Sequence, residues 1–367
     1  MQLAREGTGP AAQVDHARTL GDRADQAEEV IKRLAALVLE ALVLRRAPGV
    51  GHVASIGAAS RGVDGDRLSR LDPSPMDRRP LGTTGLEVSV LGLGAGGIGG
   101  DDVPEPVVEE LLLTALDLGI TLIDSARSYG LSEERIGRHL FHRRHDVVIS
   151  TKGGYGVDGE PDWTGAAVTL GIERALAAMR TDYIDVFHLH SCPKEVSMRD
   201  DIALALERAR EAGKIRVIGY AGEGTALGAA VRSGRFGAVM CSVNLFDQGS
   251  FETLLPRAVH GGVGLIAKRP LANAVWRYRD WPDGEDAEYW ERMNAMQLVP
   301  GGDGWLDLAV RFSVFTPGVS SAIVGTSSPS HLAECARAVE RGPIAEDFRL
   351  RVEASFATKN RGWAGKV

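Results

Sequence analysis

Four side chains in this 367-residue chain have types that belong together chemically: Asp124, Tyr129, Lys152 and His190. A phenol, with a free pKa of about 10, is too weak an acid to release a proton readily near neutrality. A lysine ammonium beside it favours the phenolate and makes that proton easier to give up. An aspartate can keep the lysine charged and oriented, and a histidine can hydrogen-bond the oxygen that receives the proton. Such a set suits protonation of a carbonyl oxygen while hydride reaches the carbon. Side chains do not donate hydride, so a cofactor has to supply it.

The elements that must bring these residues together are legible in the pattern. From residue 88 onward, short apolar runs alternate with longer amphipathic ones. Strands are expected at 88–93, 121–124, 147–151, 184–190, 215–221, 238–243, 264–268 and 321–325. Helices are expected at 107–118, 132–141, 164–179, 199–212, 225–233, 249–259, 305–315 and 330–341. Strand alternating with helix implies parallel pairing under a helical cover. Eight such units in a row have the size and order of an α/β (β/α)8 TIM barrel. Asp124, Lys152 and His190 end the second, third and fourth strands, and Tyr129 follows Asp124 by five residues. In a parallel barrel those strand ends share one face, where active sites of this fold lie. Charged groups gathered there are hard to explain as packing, because burying a charge is costly unless it is paired.

Composition narrows the class further. The formal net charge is −7, which argues against nucleic acid as a partner, since phosphate binding needs a basic face. Three cysteines, an odd number with no zinc-type spacing, argue against a disulfide scaffold or structural zinc and for a cytoplasmic protein. The apolar run 34–44 is broken by Glu40 and is too short to span a bilayer, so no membrane partner is expected. Residues 1–75 differ in texture from the rest and are expected to form a poorly ordered N-terminal extension, with one helix over 22–46, ahead of a barrel domain at 76–367. There is no signal for oligomeric state.

Three features compete with this assignment. Gly92, Gly94 and Gly97 satisfy G-x-G-x-x-G after a strand, as in a dinucleotide-binding Rossmann unit. That motif needs a helix starting inside the glycine turn. Here two further glycines, Asp101, Asp102, Pro104 and Pro106 occupy those positions, so the run reads as a flexible loop that approaches a ligand at the barrel mouth. His188-Leu189-His190 puts two imidazoles on one strand face and raises a metal-dependent TIM-barrel hydrolase as an alternative. The later strands, however, end in Ala221, Val243, Lys268 and Gly325, which supply no metal ligands. The connection 272–304 is long and carries Trp276, Tyr278, Trp281, Tyr289 and Trp290. Long connections in compact domains are usually functional, and Trp276, Tyr278 and Trp281 are candidates for a substrate-covering loop. The same aromatics could equally hold the excursion together.

Several segments together resemble the aldo-keto reductase family: residues 79–94, Leu-Ile-Asp-Ser-Ala-Arg-Ser-Tyr-Gly at 122–130, Ser-Thr-Lys-Gly-Gly at 150–154, 182–190, 214–220, Arg-Pro-Leu-Ala at 269–272, and 323–334. The resemblance runs from Met76 to the C-terminal tail. It implies a barrel closed at its floor by a hairpin near 77–90 and a tetrad of Asp124, Tyr129, Lys152 and His190. It also implies a small-molecule aldehyde, ketone or sugar-type carbonyl, or the corresponding alcohol, as substrate. The implied cofactor is NADP(H), with NAD(H) the other candidate, held without a Rossmann unit. Its adenosine end would meet Gly325, Thr326, Ser327, Ser328, His331 and Glu334. The nicotinamide surroundings depart from the family's pattern, reading Ala221-Gly222 after the fifth strand, Met240 in the sixth and Lys268 ending the seventh. Glu223, Asn244 and Arg269 could supply substitutes for carboxamide anchoring, Lys268 and Arg269 could instead attract the pyrophosphate, and Leu271 is a further candidate cofactor contact. A nicotinamide-binding regulatory barrel without turnover is the remaining alternative.

Overall fold

Eight runs rich in Val, Ile and Leu form parallel strands, because a sheet covered on both faces buries every residue along each strand. The computed structural model describes residues 76–251 and 254–366. The proposed extension at 1–75 lies outside them. A short antiparallel hairpin, β1 (Arg78–Pro80) and β2 (Glu87–Ser89), precedes the barrel strands. These are β3 (Leu91–Gly94), β4 (Leu122–Asp124), β5 (Val148–Gly153), β6 (Ile184–His190), β7 (Ile215–Ala221), β8 (Ala238–Ser242), β9 (Gly264–Lys268) and β10 (Ser321–Gly325). They pair in sequence order, and β10 closes the barrel on β3. The (β/α)8 expectation therefore holds, and a Rossmann sheet, which is open, does not.

The core has two parts. Outside the strands, apolar side chains pack against the helical layer. Inside, Leu122, Val186, Val217, Ala238, Ile266 and Ile323 form a separate cluster. Leu81, Leu86 and Val88 of the hairpin join that inner cluster from one end, and Ala221 and Met240 join it from the other. The hairpin thus plugs the floor, while Ala221 and Met240 form the base of the open mouth. Arg79 ties the plug down by donating to the carbonyls of Val314 and Val319, at 2.7 and 2.8 Å.

Beside a single turn at Lys194–Ser197, two longer helices depart from the expectation. Asp286–Met296 lies within the long connection after β9, and Glu346–Lys359 follows the barrel. The first shows that the connection is a structured excursion. The helix expected at 249–259 is shorter, Leu255–His260 among the described residues. Among the described residues no helix is long and apolar enough to cross a membrane.

Candidate active site

The ends of the strands frame a cleft of about 500 Å³, lined by Asp124, Tyr129, Lys152 and His190 together. Asp124 and Lys152 lie on adjacent strands and are almost fully buried. The Lys152 ammonium donates to Asp124 Oδ2 at 2.6 Å, to the Ser125 carbonyl at 2.8 Å and to the Tyr129 hydroxyl at 3.4 Å. Burial works to drive the proton off Lys152, but the Asp124 carboxylate and the Tyr129 oxygen together outweigh it and lift the lysine pKa above its ordinary value. Asp124 also accepts from the Ser150 hydroxyl at 2.7 Å, which leaves this carboxylate well satisfied. Lys152 also lies 4.7 Å from the centre of the Tyr129 ring.

His190 stands across from Tyr129, ring centres 6.0 Å apart and nearly perpendicular. Burial, with help from the Lys152 and Lys268 charges, pushes its pKa down to about 4, so the imidazole is neutral near pH 7. Its Nδ1 is 3.2 Å from the Tyr155 hydroxyl. Tyr155 was missed in the sequence reading, although it follows Lys152 by only three residues. Ser128, Ser191 and Asn273 also line the cleft and were likewise missed. Ser191, Arg269 and Asn273 have left-handed backbones, with φ of 61°, 53° and 56°. Strained conformations of this kind, outside glycine, persist where surrounding structure imposes them and tend to cluster at functional sites.

The glycine run after β3 has a definite task. Residues Ala95–Ile98 form a 3₁₀ turn, and the following helix begins only at Glu105. Gly99 packs on the Tyr129 backbone so closely that a Cβ there would sit 1.9 Å from the Tyr129 carbonyl oxygen. The Gly99 carbonyl accepts from Leu131 N at 2.9 Å. Buried Arg135 donates to the carbonyls of Ile98 and Gly100, both at 2.7 Å. The run is therefore a pinned turn that seats the Tyr129 loop. Gly94, Gly96 and Gly97 line the cleft as expected.

The other expected site residues divide. Gly325, Met240, Lys268, Arg269 and Leu271 line the cleft. Asn244 does not: its amide donates to the Arg269 carbonyl and to the Tyr289 hydroxyl, at 3.0 and 3.3 Å, and it is fully buried. Glu223 faces away too, accepting from Ser242 N at 2.7 Å and pairing with Lys268 at 3.3 Å. Thr326, Ser327, Ser328, His331 and Glu334 lie beyond the cleft, at the start of the helix Pro329–Glu340. Ser328 caps that helix through His331 N, and Thr326 bonds both Ser328 N and the His331 ring. Exposed Glu334 has no partner role in this cap.

The aromatic connection leaves the cleft unlined by its rings. Trp276 stacks on Trp305 at 6.0 Å, Trp281 meets Trp290 edge-on at 5.3 Å, and Tyr278 donates to Asp286 at 2.7 Å. These contacts brace the excursion. His188 is separate as well. It is fully buried, neither ring nitrogen makes a well-formed hydrogen bond among the described residues, and burial pushes its pKa down to about 3. Its ring fills the space a Cβ on Gly219 would need, 2.3 Å from Nδ1. Among the described residues no group of three His, Cys, Asp or Glu stands ready to hold a metal.

The C-terminal tail, to which the sequence pattern gives no role, reaches this mouth. Arg269 and Ser242 donate to the Lys366 carbonyl at 2.7 and 3.0 Å, Lys366 N donates to Asp247 at 3.1 Å, and Arg292 donates to the Ala364 carbonyl at 2.7 Å.

Known proteins share both sequence and architecture with this barrel. The sequence profile of the Aldo/keto reductase family matches residues 90–355. L-Galactose dehydrogenase of Arabidopsis thaliana is 30% identical over 319 residues, spanning 80% of this chain and 98% of that one. The NADH-specific methylglyoxal reductase of Escherichia coli K12 is 26% identical over 67% of this chain and 85% of its own. The holo structure of an aldo-keto reductase from Bacillus halodurans superposes with a TM-score of 0.68 at 26% identity, covering 76% of this chain and 96% of that one. The chain belongs to the aldo/keto reductase family and is a nicotinamide-dependent oxidoreductase acting on small-molecule carbonyl substrates.

Proposed function

We propose that Tyr129 is the proton donor to the substrate carbonyl oxygen in reduction and the acceptor in the reverse oxidation. The observation that carries this reading is the Lys152 ammonium, which touches Asp124 on one side and the Tyr129 hydroxyl on the other. As the proton leaves, negative charge develops on the phenol oxygen, and a fixed cation at that spot stabilises it without reorganising. Asp124 is a positioning residue that keeps Lys152 charged and aimed. With Nδ1 engaged by Tyr155, Nε2 of neutral His190 is the ring nitrogen left to donate to the substrate oxygen.

A bound nicotinamide supplies the hydride. The cleft that runs from Tyr129 to Gly325 suits part of an extended dinucleotide. Gly94, Gly96, Gly97 and Gly325 keep it free of side chains, and Lys268 and Arg269 border it. Ser328, Ser330 and His331 at the helix start offer hydroxyls and an imidazole to a further phosphate, which favours NADPH over NADH. A reducing, cytoplasmic setting fits three buried cysteines, all free.

Nucleotide fluorescence titration with NADPH and NADH tests the cofactor assignment, with tighter binding of NADPH expected. Tyr129→Phe is expected to lower turnover about 10²- to 10⁴-fold while cofactor affinity stays within about threefold. A variant that retains more than a few per cent of activity overturns the role of Tyr129. Cofactor binding with no turnover by the wild type on any of a panel of carbonyls would favour the regulatory reading instead.

A further inference from the structure

Lys268 ends β9 at the cleft wall, 16% exposed, with its ammonium 3.3 Å from Glu223. The pair is oriented. Lys268 lines the cleft beside Ala221 and Met240, whereas Glu223, 4% exposed, lies behind it and borders a different crevice. Glu223 is fixed there by Ser242 N and sealed by the C-terminal tail. Gly365 lies so close that a Cβ on it would come within 2.5 Å of Glu223 Oε2. The positive end of a buried, water-poor ion pair therefore points into the cleft. Among the described residues, the charged ones lining that cleft are Asp124, Lys152, Lys268 and Arg269, three cations against one carboxylate. Asp124 is already spent on Lys152, and Arg269 is drawn toward the tail carbonyl and Glu285.

A ring that exchanges hydride with a carbonyl at Tyr129 must share this cleft. With Asp124, Tyr129, Lys152 and His190 on one side, the remaining wall is formed by Ala221, Met240, Lys268, Arg269, Pro270 and Leu271. A nicotinamide ring is cationic when oxidised and uncharged when reduced. Charges a few ångströms apart in a partly desolvated site interact far more strongly than in water. We infer that Lys268, backed by Glu223, makes this cleft discriminate between the redox states of its cofactor and hold the reduced form more tightly than the oxidised one. This rests on the nicotinamide assignment above. The consequence is a bound couple of raised potential. The oxidised cofactor leaves readily after a reduction, and it is a stronger hydride acceptor when the alcohol is oxidised.

Equilibrium titration of the full chain with NADPH and NADP⁺, and with NADH and NAD⁺, reads this directly. The wild type is expected to bind the reduced form at least tenfold more tightly. Lys268→Met should bring the ratio of the two dissociation constants down about tenfold, which is about 30 mV for a two-electron couple. Lys268→Gln, which removes the charge but keeps a polar side chain, should lower the ratio to a similar extent. The ratio cancels any general loss of cofactor affinity, and Lys268→Gln gives an independent reading if Lys268→Met folds poorly. A ratio unmoved in both variants overturns the inference while leaving the cofactor assignment intact. Failure of the wild type to bind either redox state overturns both.

Discussion

Asp124 and Asp185 both sit nearly inaccessible in this barrel, each against a cation, and they do opposite jobs. Asp185, near the start of β6, accepts from Arg144 at 2.7 Å, Arg216 at 2.8 Å and Ile149 N at 2.9 Å. Arg144 in turn spends its other donors on Thr181 and on the carbonyls of Val147 and Tyr183. That network is closed, with its donors and acceptors consumed by neighbours that stitch strand starts to the preceding connections. Asp124, at the far end of β4, also satisfies a buried cation, but Lys152 then reaches on to Tyr129 and an open cleft. Burial and ion pairing are common to both. The difference is whether the cation gives one of its donors to a side chain that faces an open cleft, and whether it stands at the C-terminal end of the strands.

Removing each cation is the sharpest way to break the comparison. Lys152→Met should lower turnover by about 10²- to 10⁴-fold, the range expected when a general acid loses its electrostatic support. Thermal and denaturant stability should fall much less than turnover does, since Asp124 can take up a proton where its burial already raises its pKa. Arg144→Met should do the reverse, costing about 3 kcal/mol or more of folding stability, as broken buried pairs do. Its kcat per folded molecule should hold at the wild-type value. Urea melts and active-site-normalised rates read the two axes separately. Equal losses on both axes in both variants would mean the two ends of the barrel are not functionally distinct.

The two histidines of β6 sharpen the same contrast through pH. In an unfolded chain each imidazole takes up a proton near pH 6.5. In the fold, burial holds His190 neutral down to about 4 and His188 down to about 3. The unfolded state therefore binds more protons throughout the window from 6.5 downward, and stability falls as pH drops through it. Each histidine contributes on the order of 3 kcal/mol to that loss. His188→Asn should remove about one proton from the slope of unfolding free energy against pH. An unchanged slope would mean His188 takes up its proton in the fold as readily as in water.

How much of this was legible beforehand follows from where each signal resides. The strands announce themselves because a buried parallel strand is continuously apolar, and the tetrad follows from strand ends converging on one face. The helix Asp286–Met296 hides because its buried face is Tyr289, Arg292 and Met296, two of which carry polar tips engaged by Asp247, Asn244 and the tail. Without an apolar stripe there is no period to read. The helix Glu346–Lys359 did carry one, Phe348, Val352 and Phe356 at a spacing of four, and was there to be read. The grip on residues 364–366 had no local signal at all. It is made by Ser242, Asp247, Arg269 and Arg292 on backbone groups of a segment more than 70 residues away from the nearest of them. Likewise Asn244 looked available only because its partners, Arg269 and Tyr289, come from other segments.

Tyr155 and Tyr220 carry the comparison down to its smallest expected effect. Both are tyrosines near strand ends with one hydroxyl contact. Tyr220, fully buried, donates to the Cys192 carbonyl at 2.7 Å and has no further neighbour in the cleft. Tyr155 meets His190 Nδ1 at 3.2 Å, holds its ring tilted against the imidazole with centres 5.6 Å apart and is itself backed by Trp163 at 5.2 Å. A hydroxyl donating to Nδ1 fixes the tautomer that carries its proton on Nε2, the nitrogen needed for the substrate oxygen. Neutral imidazole can adopt that tautomer unaided, so the gain from fixing it is modest. Tyr155→Phe should lower kcat about three- to tenfold with KM little altered, and should change stability by no more than about 1 kcal/mol. Tyr220→Phe should leave kcat untouched and cost about 1 to 2 kcal/mol, because it strands a buried carbonyl. If Tyr155→Phe kept full kcat and lost stability as Tyr220→Phe does, Tyr155 would be a packing residue that happens to border the cleft, and the orientation of His190 would have to come from the strand alone.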